Sequence, residues 1–388
     1  MTGAAAQAAA TPNLVEQTQR IVEQEIAPRA DATDREARWP AENMQALARA
    51  GLTGLAVPAE HGGMGLGLWG LAQVCETIAT ACPSTALCFG MHCVATAVLA
   101  ARATADQVER FLVPIAAGHH LTTLALSEIG TGAEFYLPHT RLHDEPDGFL
   151  VDGEKDFVTS GGHADSYVIS VTDGTACEPG RFSCLVIEAE RLANAWGPPW
   201  AGLGMRGNSS RSVALHDVPV PRGNLLGRQG DQIWFVFEVV APWFLIAMAS
   251  TYSGIARAAV DIASADIAGR VRIHTATTLA HEPVVQTQQA RAFRAVVAAR
   301  ALVQSAAMRA DEGEPDAALW VMAAKAQATE TAVTVVNSAM DLCGGRAYRE
   351  GHRLARLLRD ARAGNVMSPT SNLLEMWIGR SLLGVPML

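Results

Sequence analysis

The feature that most constrains the fold is the confinement of strand-like segments to the middle of the chain. Between about Leu121 and Gly227, the short runs "SYVISVT", "FSCLVIEA" and "RSVALHDVPVP" are rich in valine and isoleucine and are separated by glycine and proline. Runs of this kind indicate a small β-sandwich or β-barrel. Within "DGFLVDGEKDFVT", the pair Asp152-Gly153 predicts a hairpin turn between two short strands.

Both flanks of this region carry helical patterns instead. On the N-terminal side, "STALCFGMHCVATAVLAARA" predicts a helix capped by Ser84 and Thr85. On the C-terminal side, apolar residues recur at three- and four-residue steps from Leu319 to Met340, which is typical of a long helix in a bundle. The segregated order predicts an α+β protein with an N-terminal helical domain over 1–118, a β domain over 119–228 and a C-terminal helical bundle over 229–388.

Composition excludes several classes of protein. The 388 residues include 39 acidic and 30 basic side chains, and a net charge of −9 argues against a nucleic-acid surface. The most apolar segment, "IWFVFEVVAPWFLIAMAS", is interrupted by Glu238 and Pro242, so we expect a buried helix and no membrane span. The seven cysteines form no Cys-x-x-Cys pair, and the N-terminus has no secretory pattern. We therefore expect a cytoplasmic protein without a metal site.

Four longer segments carry the clearest functional signal. They are "GLTGLAVPAEHGGMGLG", then "LALSEIGTGAEFYLPHT" with "DGFLVDGEKDFVTSGGHADSYVISV", then "LGMRGNSSRSVALHDVPVPRGNLLG", and finally "DLCGGRAYREGHRLARLLRDARAGNVMSPTSN". In this order and spacing they resemble the acyl-CoA dehydrogenase family of flavoproteins. The resemblance covers nearly the whole chain. It implies FAD bound between the β domain and the bundle, across a subunit boundary, and a homotetramer.

The resemblance assigns three residues of the β domain to the flavin ring. Ser127 matches a hydroxyl residue beside the ring, which can hydrogen-bond the flavin edge. Phe157 and Thr159 match an aromatic residue and a threonine near the ring; phenylalanine keeps the stacking face of the family's usual tryptophan but loses its N–H donor. The alternatives are a serine that satisfies backbone groups at a strand end, and a phenylalanine in the core.

Five further cofactor positions fall in the bundle. Gly344 and Gly345 match a glycine pair that lets the backbone approach FAD, although the same pair also suits a helix end. Arg270 matches an arginine that faces the pyrophosphate, although it could equally be an exposed helix residue. Thr370 and Asn372 match polar positions that contact FAD.

The departures from the family pattern concern catalysis. A dehydrogenase of this kind needs a base for the proton next to the thioester carbonyl, and the family usually supplies a glutamate from a Tyr-Glu-Gly-Thr segment. In this chain Ser368 takes the place of that glutamate and Pro369 that of the glycine. Some relatives supply the base from an earlier helix, but the position near Phe244 holds no acid, and Glu238 lies six residues upstream. Ala133 replaces a serine that helps to hold the thioester.

Three functions fit this pattern. The first is an FAD-dependent oxidoreductase acting on an unusual acyl thioester, bound to CoA or to a carrier protein, with an electron-transfer partner. The second is a flavin monooxygenase on the same fold that uses reduced flavin and O₂, supplied by a flavin reductase; His92 is then a candidate catalytic residue, against the alternative of a structural histidine in a helix. The third is a catalytically silent FAD-binding subunit.

Overall fold

The computed structural model describes residues 13–132, 134–173, 182–230 and 233–387. Helices come first, a sheet follows, and helices return, in the order predicted. Ala133 and Cys177 lie outside the described residues. The N-terminal helices are α1 over 13–35, α2 over Ala41–Arg49, α3 over Leu68–Ala79, α4 over Pro83–Arg102 and α5 over 105–116.

Seven strands form the middle of the described chain. They are β1 (Thr122–Ala125), β2 (Arg141–Glu145), β3 (Gly148–Val158), β4 (Ser166–Asp173), β5 (Ser183–Glu188), β6 (Arg211–Pro221) and β7 (Leu225–Leu226). They pair in the order β6-β3-β2-β4-β5-β7, and β1 runs parallel to β4. One core cluster includes Val213 of β6, at one end of this order, and Leu225 of β7, at the other end, packs against it. The sheet therefore folds back on itself around its own core.

Two local predictions are wrong. Asp152-Gly153 is not a hairpin turn: β3 runs through it as one strand with a bulge between Val151 and Gly153, and the turn lies between β2 and β3. A Cβ atom on Gly153 would lie 2.7 Å from the Thr140 Cα, so close backbone contact is what requires glycine there. Ser84 and Thr85 do not cap α4, because the helix already begins at Pro83, the favoured position for proline.

The C-terminal helices form a bundle that packs against the N-terminal ones. They are α6 (Phe235–Gly269), α7 (Pro283–Asp311), α8 (Ala317–Cys343), α9 (Arg353–Val366) and α10 (Ser371–Leu382). The buried carboxylate of Glu76 on α3 accepts hydrogen bonds from Arg257 on α6 and Arg300 on α7, each at 2.8 Å. These ion pairs tie the two helical regions together.

Within the part of the chain that the structure describes, two helices are long and apolar enough to cross a membrane by length and composition. In the apolar windows of Pro83–Arg102 and Phe235–Gly269, 89% and 67% of the residues are buried inside the protein. Burial of this extent is what core helices of a folded domain show. The apolar segment around Glu238 forms the start of the second of these helices, in line with the expectation of a largely buried helix.

Candidate active site

The end of β1 and the end of β3 bring together the three β-domain residues assigned to the flavin ring. The backbone N–H of Asp156 donates to the Ser127 carbonyl at 2.8 Å, and the Thr123 hydroxyl donates to the Thr159 carbonyl at 3.0 Å. Thr159 is buried and Ser127 is half-buried. The structure therefore brings Ser127, Phe157 and Thr159 together at one edge of the sheet, where β1 and β3 end.

Phe157 is not a core residue. Its side chain is 58% exposed, and its backbone lies in the left-handed region with φ of 55°. A bulky residue is sterically strained in that region. Strained residues of this kind cluster at active sites and ligand contacts. The ring meets Trp200 edge to face, with centroids 6.2 Å apart. The core alternative is excluded, and contact with a flavin stays a prediction.

A buried ion pair between Lys155 and Glu128 lies next to these residues in the β domain. The Lys155 ammonium donates to the Glu128 carboxylate at 2.6 Å and to the Ser170 hydroxyl at 2.9 Å. Glu128, next to Ser127, also accepts hydrogen bonds from Thr140 and from the backbone of His139. Burial lowers the pKa of Lys155 to about 8, although Glu128 raises it in part. Burial opposes ionisation of Glu128, but the ammonium and the other donors hold its pKa below the usual value.

The end of α6 meets the end of α8 at Arg270, the residue predicted to face the FAD pyrophosphate. Arg270 donates to the carbonyls of Leu342 and Cys343, at 2.6 and 2.8 Å. Its Nε is buried without a hydrogen-bond partner among the described residues. Gly344 has φ of 64°, and a Cβ atom on Gly345 would meet no atom within 4 Å. The same Nε lies 3.6 Å from the Asp266 carboxylate, so the guanidinium is ion-paired as well as bound to backbone, and its contact with the FAD pyrophosphate stays a prediction.

Thr370 and Asn372 begin helix α10. The Thr370 hydroxyl accepts a hydrogen bond from the Leu373 N–H at 3.3 Å, so this side chain caps the helix whatever else it contacts. Asn372 is exposed in the first turn. Their contact with FAD therefore stays a prediction.

The segment that carries Ser368 lies over a buried ammonium. Lys325 on α8 has no exposed surface, and its Nζ donates to the Gly364 carbonyl at 2.7 Å and to the Pro369 carbonyl at 3.0 Å. These two bonds hold both ends of the connection between α9 and α10, with half-buried Ser368 between them. Burial lowers the pKa of Lys325 to about 8. An ammonium group therefore binds the backbone on both sides of Ser368.

The buried acids of the described chain are already engaged. Glu76 pairs with two arginines, Glu128 pairs with Lys155, and Asp360 accepts the backbone N–H of Met205 at 2.7 Å. Glu238, the candidate acid nearest in sequence to the alternative base position at Phe244, is exposed on the first turns of α6. A base for carbon acids works from a dry pocket that raises its pKa, and an exposed carboxylate in this monomer has no such pocket.

His92 is enclosed by backbone groups. Its Nε2 lies 2.9 Å from the Thr53 carbonyl, and its Nδ1 lies 3.2 Å from the Thr122 N–H. A neutral ring with the proton on Nε2 donates to the Thr53 carbonyl and accepts from the Thr122 N–H, and the Thr122 carbonyl also lies 3.2 Å from Nδ1. Burial lowers the pKa of His92 to about 4. This arrangement explains the residue structurally, and we do not assign it a step in the chemistry.

His92 makes stability depend on pH. The unfolded chain takes up a proton near the ordinary pKa of 6.5, whereas the buried ring stays neutral to about 4. The unfolded state therefore binds more protons as the pH falls, and the free energy of unfolding should drop by about 2 kcal/mol from about pH 7 to about pH 5. Urea unfolding of the wild type and His92→Gln at both pH values measures this. Equal drops in the two proteins would contradict the assignment.

Sequence reasoning missed several residues that shape the site. Lys325 was detectable, because it falls on the apolar stripe of α8, three residues after Met322, where a charge is out of place. Trp39, whose indole N–H donates to the Ser160 hydroxyl, and Asp360, which accepts the Met205 N–H, gave no signal, because their partners are 121 and 155 residues away in the chain. Lys155 and Glu128 lie inside segments already singled out, but nothing in the sequence pairs them.

Comparison with known proteins agrees with this geometry. The chain matches three domain descriptions: acyl-CoA dehydrogenase N-terminal domain over 10–119, middle domain over 123–218 and C-terminal domain over 245–383. It is similar to a cyclohex-1-ene-1-carbonyl-CoA dehydrogenase of Geobacter metallireducens, with 29% identity over 94% of this chain and 95% of that one. Butyryl-CoA dehydrogenase from Megasphaera elsdenii has the same fold, with a TM-score of 0.90, 24% identity, and 96% and 98% of the two chains covered. The prolyl acyl carrier protein oxidase AnaB also has it, with a TM-score of 0.87, 20% identity, and 96% and 98% covered.

Proposed function

The chain belongs to the acyl-CoA dehydrogenase family of flavin oxidoreductases, and we propose that it oxidises an unusual acyl thioester without a carboxylate base at position 368. FAD is the cofactor of this family and supplies the acceptor for hydride when bound. The thioester substrate is proposed because the similar dehydrogenase from Geobacter acts, by its name, on a CoA thioester.

The residues described above suit the cofactor. We propose that the Arg270 guanidinium, whose Nε lies 3.6 Å from the Asp266 carboxylate, contacts a phosphate oxygen beside the open backbone at Gly345. Ser127 and Thr159 supply polar groups at the sheet edge, and the exposed Phe157 ring supplies a stacking face. These contacts bind and orient a ligand, and none of them moves a proton from carbon.

The observation that carries the proposal is the composition of the Ser368 segment. A serine hydroxyl is a much weaker base than a carboxylate, so position 368 does not supply the base that the family usually places there. The Lys325 ammonium contacts this segment by donating to the Gly364 and Pro369 carbonyls. A cation there favours a negative charge developing on the substrate but accepts no proton. We therefore place the substrate among thioesters whose α-proton is more acidic than that of a simple saturated chain.

The carrier of the acyl group and the electron acceptor are part of the proposal. The substitution of Ala133 for a residue that helps hold the thioester suits a carrier protein as well as CoA. The shared fold with the carrier-protein oxidase AnaB makes this arrangement structurally possible. We expect an electron-transfer partner. We also expect a homotetramer, and light scattering of the purified holoprotein measures the mass of the assembly.

Product analysis tests the proposal. The holoprotein is incubated with 2-phenylbutyryl-CoA, whose α-proton is acidified by the ring, and in parallel with butyryl-CoA, each with an artificial electron acceptor. We expect a product lighter by two hydrogen atoms, formed faster from the phenyl-substituted thioester. A product heavier by one oxygen atom, formed only with O₂ and reduced flavin, would identify a monooxygenase instead. Faster oxidation of butyryl-CoA would contradict the substrate class.

A further inference from the structure

Backbone strain is concentrated at one junction of the molecule. Seven non-glycine residues among those described have positive φ angles. Five of them lie where α1 and α2, the sheet and α9 approach one another: Ala37, Phe157, Ser160, Met205 and Ser209. Non-glycine residues with positive φ are strained, and residues of this kind cluster at ligand-binding sites. The junction is therefore a candidate for a built ligand contact.

Two facing turns contain four of these five residues. Residues 157–161 form the first turn and residues 205–209 the second. The Ser160 N–H donates to the Asn208 carbonyl at 2.8 Å, and the Gly161 N–H donates to the Ser209 carbonyl at 3.0 Å. The Ser209 hydroxyl returns a hydrogen bond to the Gly161 carbonyl at 3.0 Å. Each turn therefore holds the strained backbone of the other.

Trp39 anchors the first turn from the N-terminal helical region. Its indole Nε1 donates to the Ser160 hydroxyl at 3.0 Å. Its ring also stacks on His163, with centroids 4.6 Å apart and planes within 2°. Ser160 is buried, so the bond is shielded from water. The N–H is the one polar group of tryptophan, and here it reaches a residue of the strained turn.

Asp360 anchors the second turn from helix α9. Its fully buried carboxylate accepts the Met205 N–H at 2.7 Å. A Cβ atom on Gly204 would lie 2.3 Å from the Arg359 carbonyl, so the backbone beside the turn packs directly on the helix. The second turn is thus fixed to the same helix that leads to Ser368.

We propose that Trp39 and Asp360 are positioning residues of the cofactor site, which hold the two turns so that the Phe157 ring is presented before the ligand binds. The inference rests on the proposed function, because it needs FAD to contact Phe157. An exposed aromatic ring on a flexible loop would lose side-chain and backbone freedom on binding. A clamp that fixes the ring beforehand removes that cost from the binding step.

The Trp39–Ser160 bond gives the sharpest test. Trp39→Phe keeps an aromatic ring for the His163 stack but loses the donor, and Ser160→Ala loses the acceptor. Loss of one hydrogen bond should raise the dissociation constant of FAD about 3- to 10-fold in each variant. The double variant should be no weaker than either single variant, because all three lack the same bond. Dissociation constants are measured by titrating apoprotein with FAD and following flavin fluorescence.

The visible spectrum of bound FAD separates positioning from simple stabilisation. A bond with only a structural role would lower the unfolding temperature of the apoprotein and leave the flavin absorption bands unchanged. A positioning role shifts those bands as well. Asp360→Asn keeps an oxygen for the Met205 N–H and should bind FAD like the wild type, whereas Asp360→Leu should bind it about 3- to 10-fold more weakly.

Phe157→Ala distinguishes a failure of the clamp from a failure of the proposed contact between FAD and Phe157. If it weakens FAD binding while Trp39→Phe and Ser160→Ala leave both affinity and spectrum unchanged, the clamp is refuted and the proposed function stands. If Phe157→Ala itself leaves affinity and spectrum unchanged, the placement of FAD against this ring is refuted. Additive losses in the Trp39→Phe and Ser160→Ala double variant would also refute the clamp, because the two side chains would then act separately.

Discussion

Placing a glutamate at position 368, with glycine at 369, is expected to raise the rate at which butyryl-CoA bleaches the bound flavin by about 10²- to 10⁴-fold, the usual contribution of a positioned base. We propose that Ser368 takes the position of the family's carboxylate, and Lys325 donates to the carbonyls of Gly364 and Pro369 on either side of it. The new side chain therefore starts from a fixed backbone. Stopped-flow absorbance under anaerobic conditions measures the rate.

The matched control is Ser368→Gln with Pro369→Gly. Glutamine has nearly the size of glutamate but accepts no proton at neutral pH, so this control should bleach as slowly as the wild type. Equal rates for the glutamate and glutamine variants would show that position 368 does not face the substrate. The alignment of this segment with the family would then be wrong.

Replacing Lys155 with methionine is expected to lower the free energy of unfolding by about 3–5 kcal/mol. The ammonium is fully buried, and its removal leaves the Glu128 carboxylate in the protein without its cation. The Thr140 hydroxyl and the His139 N–H remain, but they are neutral donors. Urea unfolding at neutral pH, followed by circular dichroism, measures the change.

The double variant Lys155→Met with Glu128→Gln separates the pair from its surroundings. Removing both charges leaves no buried ion, so the double variant should lose less stability than Lys155→Met alone. A loss below about 1 kcal/mol in Lys155→Met would contradict a buried pair, since that is the value of an exposed one.

The order of helices and strands could be predicted because hydrophobic periodicity is local. The α8 stripe from Leu319 to Met340 and the valine-rich strands are visible in short windows of sequence. Asp152-Gly153 misled the prediction because a two-residue turn and a bulge favour the same residue types. What decides between them is pairing: β3 continues through the bulge because β6 pairs with it on both sides.

The residues of the candidate site could be predicted where they lie in a segment that resembles the family. Residues outside those segments could not be predicted. Ser127, Phe157 and Thr159 lie in matched segments, and the structure places them on one sheet edge. The strained backbone of Phe157 has no sign in the sequence, because glycine is the residue that normally marks positive φ. Trp39 and Asp360 act across 121 and 155 residues of chain, distances at which residue type alone indicates no contact.

We propose that the chain binds FAD in the family fold but lacks the usual base. Anaerobic mixing of the wild-type holoprotein with butyryl-CoA and, separately, with octanoyl-CoA tests that claim. We predict a yellow protein whose flavin absorbance stays largely oxidised, bleaching at least about 100-fold more slowly than in the glutamate variant. Rapid and complete bleaching of the wild type by either thioester would contradict the claim, because a base would then be present.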